Sequence, residues 1–270
     1  MKKLFIPMAV LVIGLVLFLA CGEAGMEERS SIDQLRDQYS VVGIEHNEGL
    51  KYVYEKLAST PNISSLSYDE GLLLIENANK EFVASKYDIG INEVLCKQIS
   101  DLFHTYKNKE IFFAKSSFDE DLFNDPEITD SLSENQLALL NELDQILSED
   151  LDLSSKSYNI EELEERALLI LSERERPPFY SATNVAKYSI LYWTENYSMW
   201  ESILTSNDSS LAKPTNFWGD LRDLAGADAF GAVVGALGGL ATGGTASIPL
   251  AAVVGLSAST LKLYDMIVSE

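Results

Sequence analysis

Few residues in this 270-residue chain are of types that do chemistry. Its imidazoles are His46 and His104, and its thiols are Cys21 and Cys96. His46 stands beside Asn47, a pair in which the imidazole can serve as acid or base and the amide as a positioning group. The same two residues also read as a helix start, with Asn47 as the N-cap and His46 next to it, and this reading is preferred. Paired carboxylates such as Glu161 and Glu165 suit hydrolytic chemistry. At i and i+4 on a polar helix face, however, they read as solvated charges. Two histidines and so few thiols leave a zinc site short of ligands. The densest acidic patch, Asp119, Glu120 and Asp121 with Asp125 and Glu127, lacks the alternating acids and central glycine of a calcium loop. Cys96 lies in the helical pattern Val94-Leu95-Cys96-Lys97-Gln98-Ile99 and reads as a small buried hydrophobe, with nothing marking an activated thiol. The residues therefore lead to no expectation of a metal, a cofactor or an enzyme.

Cys21 carries a different chemistry. Lys2 and Lys3 precede an apolar run, residues 4–20, that no charge interrupts. The run is short for a membrane span of about 20 residues and has the layout of a secretory leader. Phe18-Leu19-Ala20-Cys21-Gly22 resembles a bacterial lipobox, with Phe18 where leucine is usual. The expectation is cleavage before Cys21 and fatty acylation of that cysteine, palmitate included. At least two chains are needed for a stable anchor. The polar residues that follow, Glu23, Glu27, Glu28, Arg29, Ser30 and Ser31, read as a tether. The expected partner is thus a membrane reached through lipidated Cys21. The expected place is the cell envelope, at the outer membrane or cell surface rather than the inner membrane. With Cys21 lipidated, Cys96 has no disulfide partner within the chain.

Charge narrows the partners further. The chain carries 42 acidic against 20 basic residues, a net charge of −22, and loss of the leader would remove two lysines and no acid. A polyanion without a basic stripe is a poor ligand for nucleic acid. The acids are spread over the helical segments and read as a soluble, self-repelling surface.

The elements that must position these residues follow from a period of three to four in the apolar residues. Helices are expected over 47–58, over 67–85 from a capping box of Ser67 and Glu70, and over 92–106. An irregular connection follows over 108–130. Next come helices over 133–147, from a second capping box of Ser133 and Gln136, and over 159–174, capped by Asn159 and ended by Pro177-Pro178. An aromatic-rich helix over 181–204 carries Tyr188, Tyr192, Trp193, Tyr197 and Trp200. That stripe suits a flat ligand or a sugar, but at this spacing it reads as core. No stretch alternates like a strand. The fold class is mainly α, a multi-helix domain with a C-terminal Gly/Ala-rich helical hairpin. The expected division is a signal peptide at 1–20, a polar tether at 21–40, a helical domain at 41–215 and the hairpin at 216–270.

The hairpin is the most distinctive part. No charged residue lies between Asp228 and Lys262, and Gly231, Gly235, Gly239 and Gly243 recur every four residues. Such spacing lines one helix face. Each glycine costs a helix about 1 kcal/mol relative to alanine, so a close-packed neighbour is expected in compensation, as in small-xxx-small pairs. Ala251, Gly255 and Ser259 repeat at four downstream and supply the matching face. An arm over 225–242 would be about 27 Å long at 1.5 Å per residue. The second arm offers roughly 15 apolar residues, where a span needs about 20. Packing on the other helices is therefore favoured over insertion into a bilayer, alone or as an oligomer built through the glycine ladder.

With the lipobox, the segment Gly43-Ile44-Glu45-His46-Asn47-Glu48-Gly49-Leu50 and the glycine ladder together, the layout resembles uncharacterised lipoproteins and small secreted proteins of Bacteroidota. Those carry an early G-x-x-HN segment and a late Asp-x-x-Gly-Ala run of glycine-zipper spacing, here Asp228-Ala229-Phe230-Gly231-Ala232. The resemblance covers the two ends of the chain and implies no activity. The leading expectation is a membrane-anchored lipoprotein with a non-enzymatic binding or structural role. A membrane-active, toxin-like or bacteriocin-like protein using the hairpin is the alternative, with a hydrolase using His46 behind it.

Overall fold

The computed structural model describes residues 5–107, 130–205, 217–241, 244 and 246–268, with side chains over 31–105 and from residue 130 on within those ranges. Among the described residues the structure is mainly α, with eight helices and no strand. They are α1 (Phe5–Ala58), α2 (Tyr68–Lys86), α3 (Ile89–Lys107), α4 (Glu134–Ser148), α5 (Leu153–Ile170), α6 (Arg176–Leu204), α7 (Phe217–Ala241) and α8 (Ser247–Val268).

Local chemistry sets several of these boundaries. The Ser67 hydroxyl accepts from the Glu70 amide while the Glu70 carboxylate takes the Ser67 amide, and Ser133 with Gln136 repeats the arrangement at α4. Both capping boxes stand where the sequence places them. The start of α5 differs: its N-cap is Asp152, whose carboxylate accepts from the Ser155 amide, and Asn159 lies inside the helix. Asp152 is as good an N-cap as Asn159 and stands seven residues earlier, with no breaker between the two positions. Pro177 and Pro178 do not end α5, which stops at Ile170. They open α6, in the first turn where a proline ring costs no hydrogen bond.

The chain falls into two compact units, residues 1–38 and 39–270. Residues 5–38 of α1 belong to the first, so the stretch expected as a tether is helical. Ser31 to Ser40 contains neither Pro nor Gly, and Arg36 pairs with Asp33 one turn away. The hairpin residues 217–268 share the second unit with the rest of the helices and form no unit of their own.

Within that second unit α8 is the central helix. It is buried from Leu250 through Tyr264 on every side, as an all-round apolar helix must be in water. It packs against α7, α6, α3 and α2. The aromatic stripe of α6 is core: Phe179, Tyr180 and Trp193 are fully buried and Trp200 is 1% exposed. Trp193 lies tilted against Trp200 at 5.5 Å between ring centres, and Trp200 meets Tyr54 of α1 at the same distance. By length and composition α7 and α8 are each apolar enough to cross a membrane, which is compatible with membrane association. Of their most apolar stretches, 72% and 78% are buried inside the fold.

Candidate functional site

A close approach between α1 and α6 begins the site. A methyl group on Gly43 would overlap the Tyr188 ring, 2.7 Å from its Cγ, and fall 2.9 Å from the Asn184 carbonyl, so only glycine lets the helices meet here. One turn on, His46 and Asn47 point into the same contact. Asn47 donates from Nδ2 to the Tyr188 carbonyl at 3.0 Å, which fixes the amide and leaves its Oδ1 2.9 Å from His46 Nδ1. Both residues lie within α1, so Asn47 is not an N-cap. The continuation of α1 back through residue 31 removes the helix start that the motif suggested.

The other ring nitrogen of His46 faces α7. Nε2 lies 2.9 Å from Oδ1 of Asp228, and both side chains are fully buried. Charge attraction contributes more to this approach than hydrogen bonding does. The second carboxylate oxygen accepts from the Ser189 hydroxyl and from the Trp193 indole N–H at 3.0 Å. With acceptors opposite both of its nitrogens, His46 is placed to be doubly protonated. Burial alone pushes its pKa down, but the charge of Asp228 and contacts with that carboxylate and Asn47 outweigh it and hold the imidazole above its ordinary value. Gly255 of α8 closes the remaining side. A methyl group there would sit 2.9 Å from the Asp228 carbonyl and 3.4 Å from the His46 ring.

The early G-x-x-HN segment and the late Asp-x-x-Gly-Ala run therefore meet in space. The ladder continues the contact along the hairpin. A methyl group on Gly231 would lie 2.7 Å from the Val254 carbonyl, and those on Gly235 and Gly239 would meet the backbone of Leu250, Ala251 and Ser247. Ala251 and Gly255 lie in this seam, and Ser259 is fully buried with its hydroxyl toward the Leu256 carbonyl. Gly243 and the side chain of Cys21 lie outside the described residues.

Serine, histidine and aspartate are thus adjacent, but in the wrong order for hydrolysis. A nucleophilic triad needs the imidazole between hydroxyl and carboxylate. Here Asp228 stands in the middle and Ser189 bonds to it, not to His46. His46, Ser189 and Asp228 are also closed to solvent. The geometry holds helices together and offers no place for a substrate. Sequence reading identified His46 and Asn47 but not the role of Asp228. A lone acid at the start of a long uncharged run was the available signal for it.

Elsewhere the candidates separate. Cys96 donates to Asn92 at 3.0 Å, and burial pushes its thiol up, against a smaller opposing effect of Lys80. Both ring nitrogens of His46 are engaged elsewhere, by Asn47 and Asp228. Glu161 and Glu165 are exposed on α5. The acidic patch at 119–127 lies outside the described residues. Among the described residues no group of three or more His, Cys, Asp or Glu is placed to hold a metal. A hollow of about 370 Å³ between α7 and the α4–α5 connection is lined by Trp218, Arg222 and Lys156. The Lys156 ammonium is occupied by the carbonyls of Ile146, Leu147 and Glu149 at 3.0, 2.7 and 2.5 Å, so all three of its donors serve the end of α4.

The chain matches no family model, no curated protein and no solved structure.

Proposed function

We propose that the chain is a lipid-anchored protein of the bacterial envelope whose helical domain acts by binding or by structure and not by catalysis. The observation that carries this reading is that His46 and Asp228 neutralise each other beyond the reach of solvent. The chain's most promising acid–base residue is thereby committed to holding α1 against α7. The glycine seam is likewise engaged by α8 of the same chain, which leaves lipid on Cys21 as the attachment this reading requires. The expected site is the outer membrane or the cell surface. The acidic surface disfavours nucleic acid as a partner.

Two measurements test the proposal. Metabolic labelling with palmitate should mark the wild-type chain and leave Cys21→Ser unlabelled. In a second strain, a leader cut by the ordinary signal peptidase replaces residues 1–21, giving a mature chain with no lipid. At neutral pH that chain is expected in the soluble fraction. Retention in the membrane after alkaline extraction would show instead that the hairpin itself is inserted.

A further inference from the structure

The apolar hairpin contains one charge in its interior, and that charge ties it to the rest of the bundle. From Ala229 to Leu261 there is no charged residue. A membrane crossing takes about 20 residues. Counted back from the end of α7 at Ala241, such a segment contains Asp228, with Arg222 and Asp223 at its interfacial end. α7 thus cannot cross without taking Asp228 into hydrocarbon, where a carboxylate is far more disfavoured than a neutral acid.

In the fold that carboxylate faces a partner on each oxygen, a charge on one and two hydrogen-bond donors on the other. His46 faces it from α1, and the Ser189 hydroxyl and Trp193 indole face it from α6. The Tyr192 phenol is near enough to feel the carboxylate's charge. α8 brings Gly255 against this site and carries no charged residue before Lys262. We propose that Asp228 is a protonation gate on the hairpin: ionised and paired with His46 it keeps α7 and α8 in the bundle, and neutral it lets them pass into a lipid bilayer. The inference rests on the reading that the hairpin is buried at rest. Protonation acts twice, since it makes α7 apolar through its middle and leaves the His46 imidazolium buried without its counter-charge. Acid also discharges the surface carboxylates, whose repulsion keeps a strongly acidic protein from anionic lipid.

The test uses the purified full chain and vesicles of phosphatidylethanolamine and phosphatidylglycerol loaded with a pH-insensitive dye–quencher pair. Wild type is expected to leave the vesicles sealed at pH 7 and to release dye on acidification. Asp228→Asn should release at pH 7. Ser189→Ala removes one of the contacts that hold the ionised carboxylate in the bundle, so release should begin at a higher pH than in wild type. Asn79→Ala loosens a different tie, the contact of α2 with Ser257 and Thr260 of α8, and should leave the onset at the wild-type pH. The proposal is overturned if wild type releases nothing at any pH, if Ser189→Ala matches wild type, or if Asn79→Ala shifts the onset as far as Ser189→Ala. Should Asp228→Asn lose its helical circular dichroism, Ser189→Ala decides. Fractionation of the unlipidated chain at neutral pH is read separately: failure of the gate leaves soluble release standing, whereas retention there removes both readings.

Discussion

Gly231 of α7 lies so close to Gly255 of α8 that a methyl group on it would fall 2.8 Å from the Gly255 Cα. The obstacle is backbone, which cannot rotate aside. Gly231→Ala must therefore push the two helices apart or strain the seam, a cost on the order of 1–3 kcal/mol. Gly238, a few residues along the same helix, has nothing within 4 Å of its missing Cβ. Gly238→Ala should instead gain roughly 0.5–1 kcal/mol from reduced chain entropy. Thermal melts of the two variants, moving in opposite directions, would check that the seam and not glycine content sets the hairpin's stability. Equal shifts would contradict the packing described above.

The pH dependence of stability should carry the mark of His46. Its pKa is raised in the folded state by Asp228 and Asn47 against the opposing effect of burial. A group raised on folding binds its proton more tightly in the native state, so stability falls as the proton leaves. The contribution is fully present below the unfolded value of about 6.5 and is lost as pH rises through the folded value above it. Urea unfolding midpoints measured from pH 6 upward should decline for wild type. His46→Gln should start lower and decline less. A wild-type midpoint that rises over this window would reverse the assignment.

The pair itself should behave as one unit. Removing only Asp228 leaves a buried imidazolium, at a cost of about 3–5 kcal/mol. His46→Ala with Asp228→Ala together leave no orphaned charge. The double variant is expected to lose clearly less than the two single losses added, with a coupling of about 0.5–3 kcal/mol. Strict additivity in a double-mutant cycle would mean that the 2.9 Å approach carries no energy.

Lys156 makes a prediction remote from the hairpin. Its ammonium serves three carbonyls at the end of α4, and it is 6% exposed. Lys156→Met keeps the stem but leaves those carbonyls without a donor, a loss of about 1–3 kcal/mol. Hydrogen exchange should quicken in the last turn of α4 and around 149–152 first. Unchanged exchange there would show that water replaces the ammonium without penalty.

Thiol counting separates the two cysteines. The burial that raises the Cys96 thiol should make it slow toward maleimide in the native protein at neutral pH. After denaturation one thiol per chain should react if Cys21 carries lipid, and two if it does not. Two would remove the proposed anchor.

Much of this was legible in the chain because it is local. The capping boxes at Ser67 and Ser133, the helical period and the four-residue glycine spacing each depend on residues within one turn of one another. Where two local signals competed, the sequence alone did not choose. Asp152 took the cap expected at Asn159, and Pro177-Pro178 began a helix rather than ending one, because either placement satisfies the same local rules.

The partners of His46 lay beyond any such rule. The sequence by itself determined a mostly helical chain, a strongly acidic composition, an uncharged apolar run before Cys21 and a ladder of small residues that demands a close neighbour. Only the tertiary structure decided that the neighbour of Gly231 is Gly255 of the same chain, and that His46 and Asn47 are helix-interior residues committed to Asp228 and Tyr188. The reason is physical: helix and cap energies are set within about four residues, whereas the identity of a buried partner depends on the register in which whole helices pack, and that register is fixed only once all of them are in place.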